Sequence, residues 1–522
     1  MPKVPQPPNA ADKDPAPALI FAQNEITGVD TSGSRTAVGQ GKVYNLENII
    51  PIGPENAQVV PNISPALGTF GSDNIYYGAS FSIVFLSGGV SEVLLLFGST
   101  GNVWEFVIGG FNSGGQWIPK NTVQQISASL SGAGSRAVQW QNTVVLVIDS
   151  RGLYVWNTPY AQLTQITGPG VPTSGNDIAV FGGRVWIASG RQIFFSGAGD
   201  YSAASWLPAN GAGFFTLTDP QIRTTVQRLT VSNGLLYIIS TAGINVISNV
   251  VVPFGSIPPT PTFQNTNIQA LIGCDQPGSV FPLDRFMLFG NRYGAFILYG
   301  LTATKISSDI DGTWQYIDFT KPMSGGQVTI ANILCSAFLI QRANDPVFGS
   351  NTVVAVNFEK EPGDRRWFFA NYGSAGTITL LVSGFVQNQP ALFGMIGSNI
   401  YQLFGDPTTA PNCQIMTGLY PMEDELAKKE VTVGGFEATY SLVGGSITAT
   451  ADTADTDFPS RPITFPQQPA LGTKLHVAGG VNFPSTFNRH VGMTINTQGL
   501  IYKFKLFALE YKLRERWHMF LS

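Results

Sequence analysis

The chain has 522 residues, 43% of them hydrophobic and only 12% charged, against roughly 25% charged in average soluble domains. Its net charge of −4 and pI of about 5.5 argue against a protein that grips nucleic acid through a basic patch. The sequence has no run of about 18 apolar residues, so the excess apolar surface is expected to be covered by neighbouring subunits and not by lipid.

This length predicts two to four domains. With 58 Gly, 34 Pro, 35 Phe, 16 Tyr and 9 Trp, the composition predicts many short strands joined by tight turns. The three cysteines, Cys274, Cys335 and Cys413, are odd in number and far apart. That spacing fits neither a disulfide framework nor a zinc site, and points to assembly in a reducing cytosol.

Residues 1–25 are rich in Pro, Ala and Asp and are expected to form an extended arm, either a loose tail or a strap on a neighbour. They lack the basic start and apolar block of a secretory signal. Residues 26–65 are expected to be a strap or to add strands to a β-domain.

From 66 to 420 one pattern recurs: a short strand, a turn, an apolar strand, a turn and another apolar strand. Copies include Val93–Phe97 with Val103–Phe106, Val144–Ile148 with Leu153–Trp156, and Arg184–Ala188 with Gln192–Phe195. Two more are Leu235–Ile239 with Ile244–Ile247, and Phe286–Phe289 with Ala295–Leu298. The spacing of about 40 to 50 residues matches a four-stranded propeller blade. Gly182-Gly183 and Asn233-Gly234 stand where hairpins must turn, since such residues tolerate positive φ. Looser copies follow at Ile330–Ile340 with Val353–Phe358, and at Ala391–Gly394 with Ile400–Phe404. The expected fold class is all-β: a β-propeller of six or seven blades with a second antiparallel β-domain, and a set of β-sandwiches as the alternative. Trp104, Trp140, Trp156, Trp186, Tyr237, Phe289 and Trp314 are the expected core of the repeats.

Residues 421–522 change texture. The charged stretch PMEDELAKKE (421–430) reads as a connector of one or two helical turns, and the alternation after it reads as an antiparallel β-domain.

The sequence offers little chemistry. His476, His490 and His518 have no metal-ligand spacing, and Gly-rich stretches such as Ser131–Ser135 lack the Lys-Ser/Thr of a phosphate loop. Ser307–Trp314 resembles the turn motif of sialidase-like propellers, but Asp311 stands where that motif has Gly. It is read as a hairpin turn at Asp311-Gly312 with Trp314 packed beneath. Arg184, Arg191, Arg285 and Arg292 fall in separate repeats, so a carboxylate-binding cluster would need their convergence. Asp309 with Asp311 reads as turn chemistry and not as the paired acids of a glycosidase. Glu359–Glu361 with Asp364–Arg366 reads as a solvated hairpin tip, or as a charged loop that contacts another surface or a neighbouring protein. No catalytic, cofactor or metal site is expected.

Ile26–Ser64 (ITGVDTSGSRTAVGQGKVYNLENIIPIGPENAQVVPNIS) resembles the opening of the tail nozzle, or tubular tail, proteins of short-tailed bacteriophages. Asp177–Ala188, Ile244–Asn249, Asp309–Phe319 and Asn332–Cys335 are similar to the same family. The likeness covers about residues 26–410. It implies a propeller-containing virion subunit, assembled in the host cytoplasm, that forms a homohexamer in the short tail. Its implied partners are tail adaptor proteins and tail fibres or spikes, with transient passage of viral DNA through a gated channel and contact with the host outer surface. Pro253–Pro261 and the turn at Pro208 are the Gly/Pro loops available for such a gate. The alternative is a virion propeller that binds or cleaves host-surface glycan.

Overall fold

The computed structural model describes residues 19–516, apart from 24, 54–55, 85–88, 113, 128, 133, 158–161, 221, 223, 269–271, 361–362, 422–426, 442–446, 454–461, 466–473, 477–481, 489 and 498–499. The chain divides into two compact units, one of residues 60–409 and one of residues 1–59 with 410–522.

Residues 60–409 form a β-propeller. Blade 1 is the antiparallel meander Ile75–Val84, Val90–Gly98, Val103–Phe111 and Trp117–Ser127. Blade 2 is Arg136–Trp140, Val144–Asp149, Gly152–Trp156 and Thr164–Ile166. Blade 3 is Asp177–Phe181, Arg184–Ser189, Gln192–Phe195 and Gly213–Thr216. Blade 4 is Arg228–Ser232, Leu235–Ile239, Ile244–Val251 and Thr262–Ile268. Blade 5 is Phe281–Leu283, Phe286–Asn291, Gly294–Tyr299 and Thr302–Lys305. Blade 6 is Gly325–Ile330, Ile333–Gln341, Thr352–Glu359 and Arg365–Ala370. Blade 7 is Ile378–Val386, Gln389–Ile396 and Asn399–Leu403, completed by Gly68–Thr69 from the start of the unit. The first strands touch their neighbours in order, and that of blade 7 touches that of blade 1, which closes the ring. The outer strand of blade 7 is therefore a two-residue strand that pairs with residues more than 300 positions later.

The second strand of each blade is largely apolar because most of it is buried on both faces. In blade 1, Val93, Leu95 and Phe97 pack toward blade 2, with Val145, Val147 and Trp156. The alternate residues Leu94 and Leu96 pack toward blade 7, with Val382, Phe393 and Ile400. The same alternation continues around the ring. Leu146 and Ile148 meet Val185 and Ile187 between blades 2 and 3. Trp186 and Ala188 meet Leu236 and Ile238 between blades 3 and 4. Tyr237 and Ile239 meet Met287 and Phe289 between blades 4 and 5. A lone blade would expose two apolar faces, whereas stacking buries each against the next. Both residues of the Gly182-Gly183 and Asn233-Gly234 turns have positive φ, the geometry that a tight hairpin between twisted strands requires.

The second unit is also antiparallel. Val43–Glu47, Cys413–Thr417, Val491–Thr497, Ile447–Thr453 and Pro462–Phe465 pair side by side in that order. A longer ladder joins Ala427–Ser441 to Leu500–Arg516. On the outer side of Leu500–Arg516 lie Leu19–Gln23 and Asn56–Val59. Ile49–Gly53 pairs with Asn56–Val59, and Lys474–His476 and Asn482–Asn488 flank Ala427–Ser441.

Of the extended arm expected over 1–25, Leu19–Gln23 is a strand paired with Leu500–Arg516; residues 1–18 lie outside the described residues. Two expectations are corrected here. Of the helical connector expected over 421–430, Ala427–Glu430 begins the long strand, and 422–426 lie outside the described residues. Asp311–Trp314 is not a hairpin turn but a single helical turn after the 3-10 turn Ser308–Ile310. That turn brings the Trp314 indole N–H within 2.7 Å of the Asn291 carbonyl. The unit boundaries fall at 59/60 and 409/410, before the 65/66 and 420/421 read from the sequence.

Candidate functional site: the axial cavity

The first strands of several blades line a cavity of about 600 Å³. Tyr76–Phe81 of blade 1, Arg136–Gln139 of blade 2, Arg228 of blade 4 and Thr379–Ser383 of blade 7 line it, with the segments Gln276–Gly278 and Pro322–Gly325. Blades 2, 3 and 4 carry Arg136, Asp177 and Arg228 as the first residue of this strand. Repetition of the blade brings these equivalent positions to neighbouring places on one rim.

Asp177 is buried, and its carboxylate accepts from the Leu229 N–H at 2.6 Å and from the Arg228 guanidinium at 3.2 Å. Burial alone would lower the Arg228 pKa, but Asp177 and Tyr77 beside it outweigh burial and raise it, so Arg228 stays charged. Arg136 donates to the Ser135 carbonyl at 2.8 Å. Both guanidiniums lie over the ring of Tyr77, with Cζ at 4.4 Å for Arg136 and 5.7 Å for Arg228. This cation–π contact fixes both groups on one aromatic face of the cavity. The Tyr76 hydroxyl accepts from the Ser135 N–H at 3.1 Å, and burial raises its pKa.

The arginines singled out in the sequence do not converge. Arg184 is buried and donates to the carbonyls of Ser196, Gly211 and Pro259, where it ties three loops together. Arg191 binds the Leu217 carbonyl. Arg285 is exposed beside Asp284, and Arg292 pairs with Asp275 at 2.8 Å. Asp311 pairs with Lys305. Arg365 pairs with Glu359, and Arg366 with Asp364. Of the expected repeat core, Trp140, Trp156, Trp186, Tyr237, Phe289 and Trp314 are buried. Trp104 is half-buried, with its indole N–H donating to Asp73 at 3.1 Å. Arg136 and Arg228, which do converge, escaped the sequence reading. Their signal was positional: once the repeats are aligned, both fall at the start of a first strand, where side chains face the axis.

A second feature lies on blade 4. From Leu229 to Cys274 the chain has no charged residue. Its third and fourth strands meet in a Pro-rich tip on which Phe254 and Ile257 are fully exposed, and Val251 and Val252 are also exposed. Pro208 of the other loop considered sits in the short turn Pro208–Asn210. The edge strand Thr262–Ile268 has no Lys, Pro or acidic residue to discourage pairing.

Among the described residues no group of three His, Cys, Asp or Glu could hold a metal, and no helix is long and apolar enough to cross a membrane.

No family model matches the chain, and no curated protein matches it. Among solved structures it is similar to BBS1N, crystallised in complex with ARL6DN and soaked with lead, at 8% identity and a TM-score of 0.33, over 65% of this chain and 98% of that one.

Proposed function

We propose that this chain is a structural subunit of the short tail of a bacteriophage virion. In this reading identical copies close into a hexameric nozzle through which the genome leaves. Adaptor proteins and fibres or spikes attach to the ring, and its far end meets the host surface. The resemblance of residues 26–64 and of the repeat segments to tail nozzle proteins suggests the class.

The observation that carries the reading is the charge-free stretch from Leu229 to Cys274 of blade 4, with Phe254 and Ile257 in full contact with solvent. A monomer gains nothing from presenting such a tip beside an unguarded edge strand. A ring gives every subunit two lateral faces of heterologous type, and this tip fits one of them. The second reading, glycan binding or cleavage, loses the four arginines the sequence offered it, because Arg184, Arg191, Arg285 and Arg292 are each engaged locally.

The test is the assembled mass of the full chain, by native mass spectrometry and negative-stain imaging, alone and in tail particles. The expected result is a ring of six. Phe254→Asp with Ile257→Asp is expected to leave the tryptophan fluorescence of the folded chain unchanged and to abolish the ring. A chain that stays monomeric and fails to join tail particles overturns the proposal.

A further inference from the structure

We propose that the axial cavity of the propeller is a binding site for a small organic oxyanion, a carboxylate or a phosphate ester with an apolar body. Such a site is independent of the tail assignment.

The cavity lining includes Arg136 and Arg228 but no Asp or Glu. Asp177 neutralises one guanidinium from the rim through its contact with Arg228. Among the described residues Arg136 has no acidic partner, so one positive charge is left over. A wall that holds two arginines and no carboxylate is the complement of a group that only accepts. Guanidiniums are suited to this role, because their planar forks match the oxygens of carboxylates and phosphates. Tyr77 holds both guanidiniums in place, so little side-chain freedom remains to be lost on binding.

The rest of the wall sets the body of the ligand. Tyr76, Val138, Phe281, Leu380 and Val382 supply an apolar lining. The volume lies within the roughly 300–1,000 Å³ of small-molecule sites, too large for a bare inorganic ion to fill. An anionic head against Arg136 and Arg228, with an aromatic or aliphatic tail against the apolar wall, uses the whole space.

The experiment is calorimetric titration of the full chain, at low ionic strength, with phenyl phosphate, benzoate and inorganic phosphate, and with phenol as the neutral control. Saturable binding of phenyl phosphate or benzoate is expected, at least about tenfold tighter than inorganic phosphate, with none for phenol. Whichever of the two binds more tightly identifies the head group. Arg136→Met is expected to weaken binding by about tenfold or more, and Arg136→Lys by less. Among the described residues Arg136 has no ion-pair partner to strand, so its variants are expected to keep the fold, which the tryptophan fluorescence checks. Arg228→Met is the second variant, with the same expected loss. The proposal is overturned if none of the anions binds at 10-millimolar scale, if phenol competes equally, or if both Met variants bind as the wild type does.

Discussion

Asp73 links ring closure to blade 1. It lies between the closing strand Gly68–Thr69 and the first strand of blade 1, and it is only 4% exposed. Three donors converge on its Oδ2: the Thr100 hydroxyl at 2.9 Å, the Asn102 amide at 2.9 Å and the Trp104 indole N–H at 3.1 Å. Burial alone would raise its pKa, but the bonds from Trp104, Asn102 and Thr100 outweigh burial and hold it below 3.8. Asp73→Asn keeps the shape and removes the charge. A hydrogen bond to a charged group contributes about 1.5–3 kcal/mol and a neutral one about 0.5–1.5. Three bonds each lose about 1 kcal/mol, and the smaller desolvation cost of the amide returns part of it. The expected net loss is about 2 kcal/mol at pH 7. Because the folded-state pKa is depressed, the stability from this carboxylate is present above pH 3.8 and is lost as pH falls through the folded value. Asn does not titrate, so the difference between wild type and variant narrows from pH 7 toward pH 3. Taking that difference cancels every other carboxylate. The assay is denaturant unfolding followed by tryptophan fluorescence, which reports on the propeller because every tryptophan but Trp517 lies in residues 60–409. Equal stability at pH 7, or a gap that stays constant into acid, would refute the reasoning.

Two further outcomes follow from burial and partners. Trp186 and Trp156 are both buried, but the Trp186 indole N–H donates to the Phe181 carbonyl at 2.9 Å while that of Trp156 has no partner. Trp186→Phe should therefore destabilise the propeller by about 1 kcal/mol more than Trp156→Phe; a reversed order in denaturant midpoints contradicts this. Burial pushes the Cys274 and Cys335 thiols up to about 12 and raises Cys413 as well. At pH 8 on the order of one thiol in ten thousand is then ionised. A chromogenic disulfide reagent should find no fast-reacting thiol in the native chain and three in guanidinium, and a single fast thiol in the native chain would be inconsistent with this burial.

How much of this was legible in the sequence follows from which strands are buried on both faces. Second strands such as Val93–Phe97 and Val144–Ile148 are packed on both sides, so they read as unbroken apolar runs, and turns such as Asn233-Gly234 mark where they end. The outer strands were opaque. Thr164–Ile166 has three residues and Gly68–Thr69 two, too few to show any period. The closing strand also finds its partner through ring geometry and not through sequence proximity. Trp314 shows tertiary context overriding a local signal: Asp311-Gly312 favours a tight turn, but the indole reaches the Asn291 carbonyl from a helical one. The axial arginines were hidden for a related reason. Arg136 and Arg228 are far apart in sequence and meet only because equivalent positions of the blades face one axis.

The size of that axial space constrains the proposed assembly. A cavity of about 600 Å³ walled by Arg136, Tyr77, Phe281 and Leu380 cannot admit a duplex whose major groove alone is about 12 Å wide. If genome passes through a tube built from this chain, the lumen lies between subunits and not along the propeller axis. Lateral contact then becomes a requirement of the function, and the exposed apolar tip at Phe254 and Ile257 is where disruption should be felt first. The axial site answers to a different perturbation. Arg136→Met should empty it of anion and leave the ring of six intact, whereas Phe254→Asp with Ile257→Asp should dissolve the ring and leave anion binding as it was. A single variant that abolished both would mean that ring formation and the axial cavity are coupled, and the separation argued from this geometry would fail.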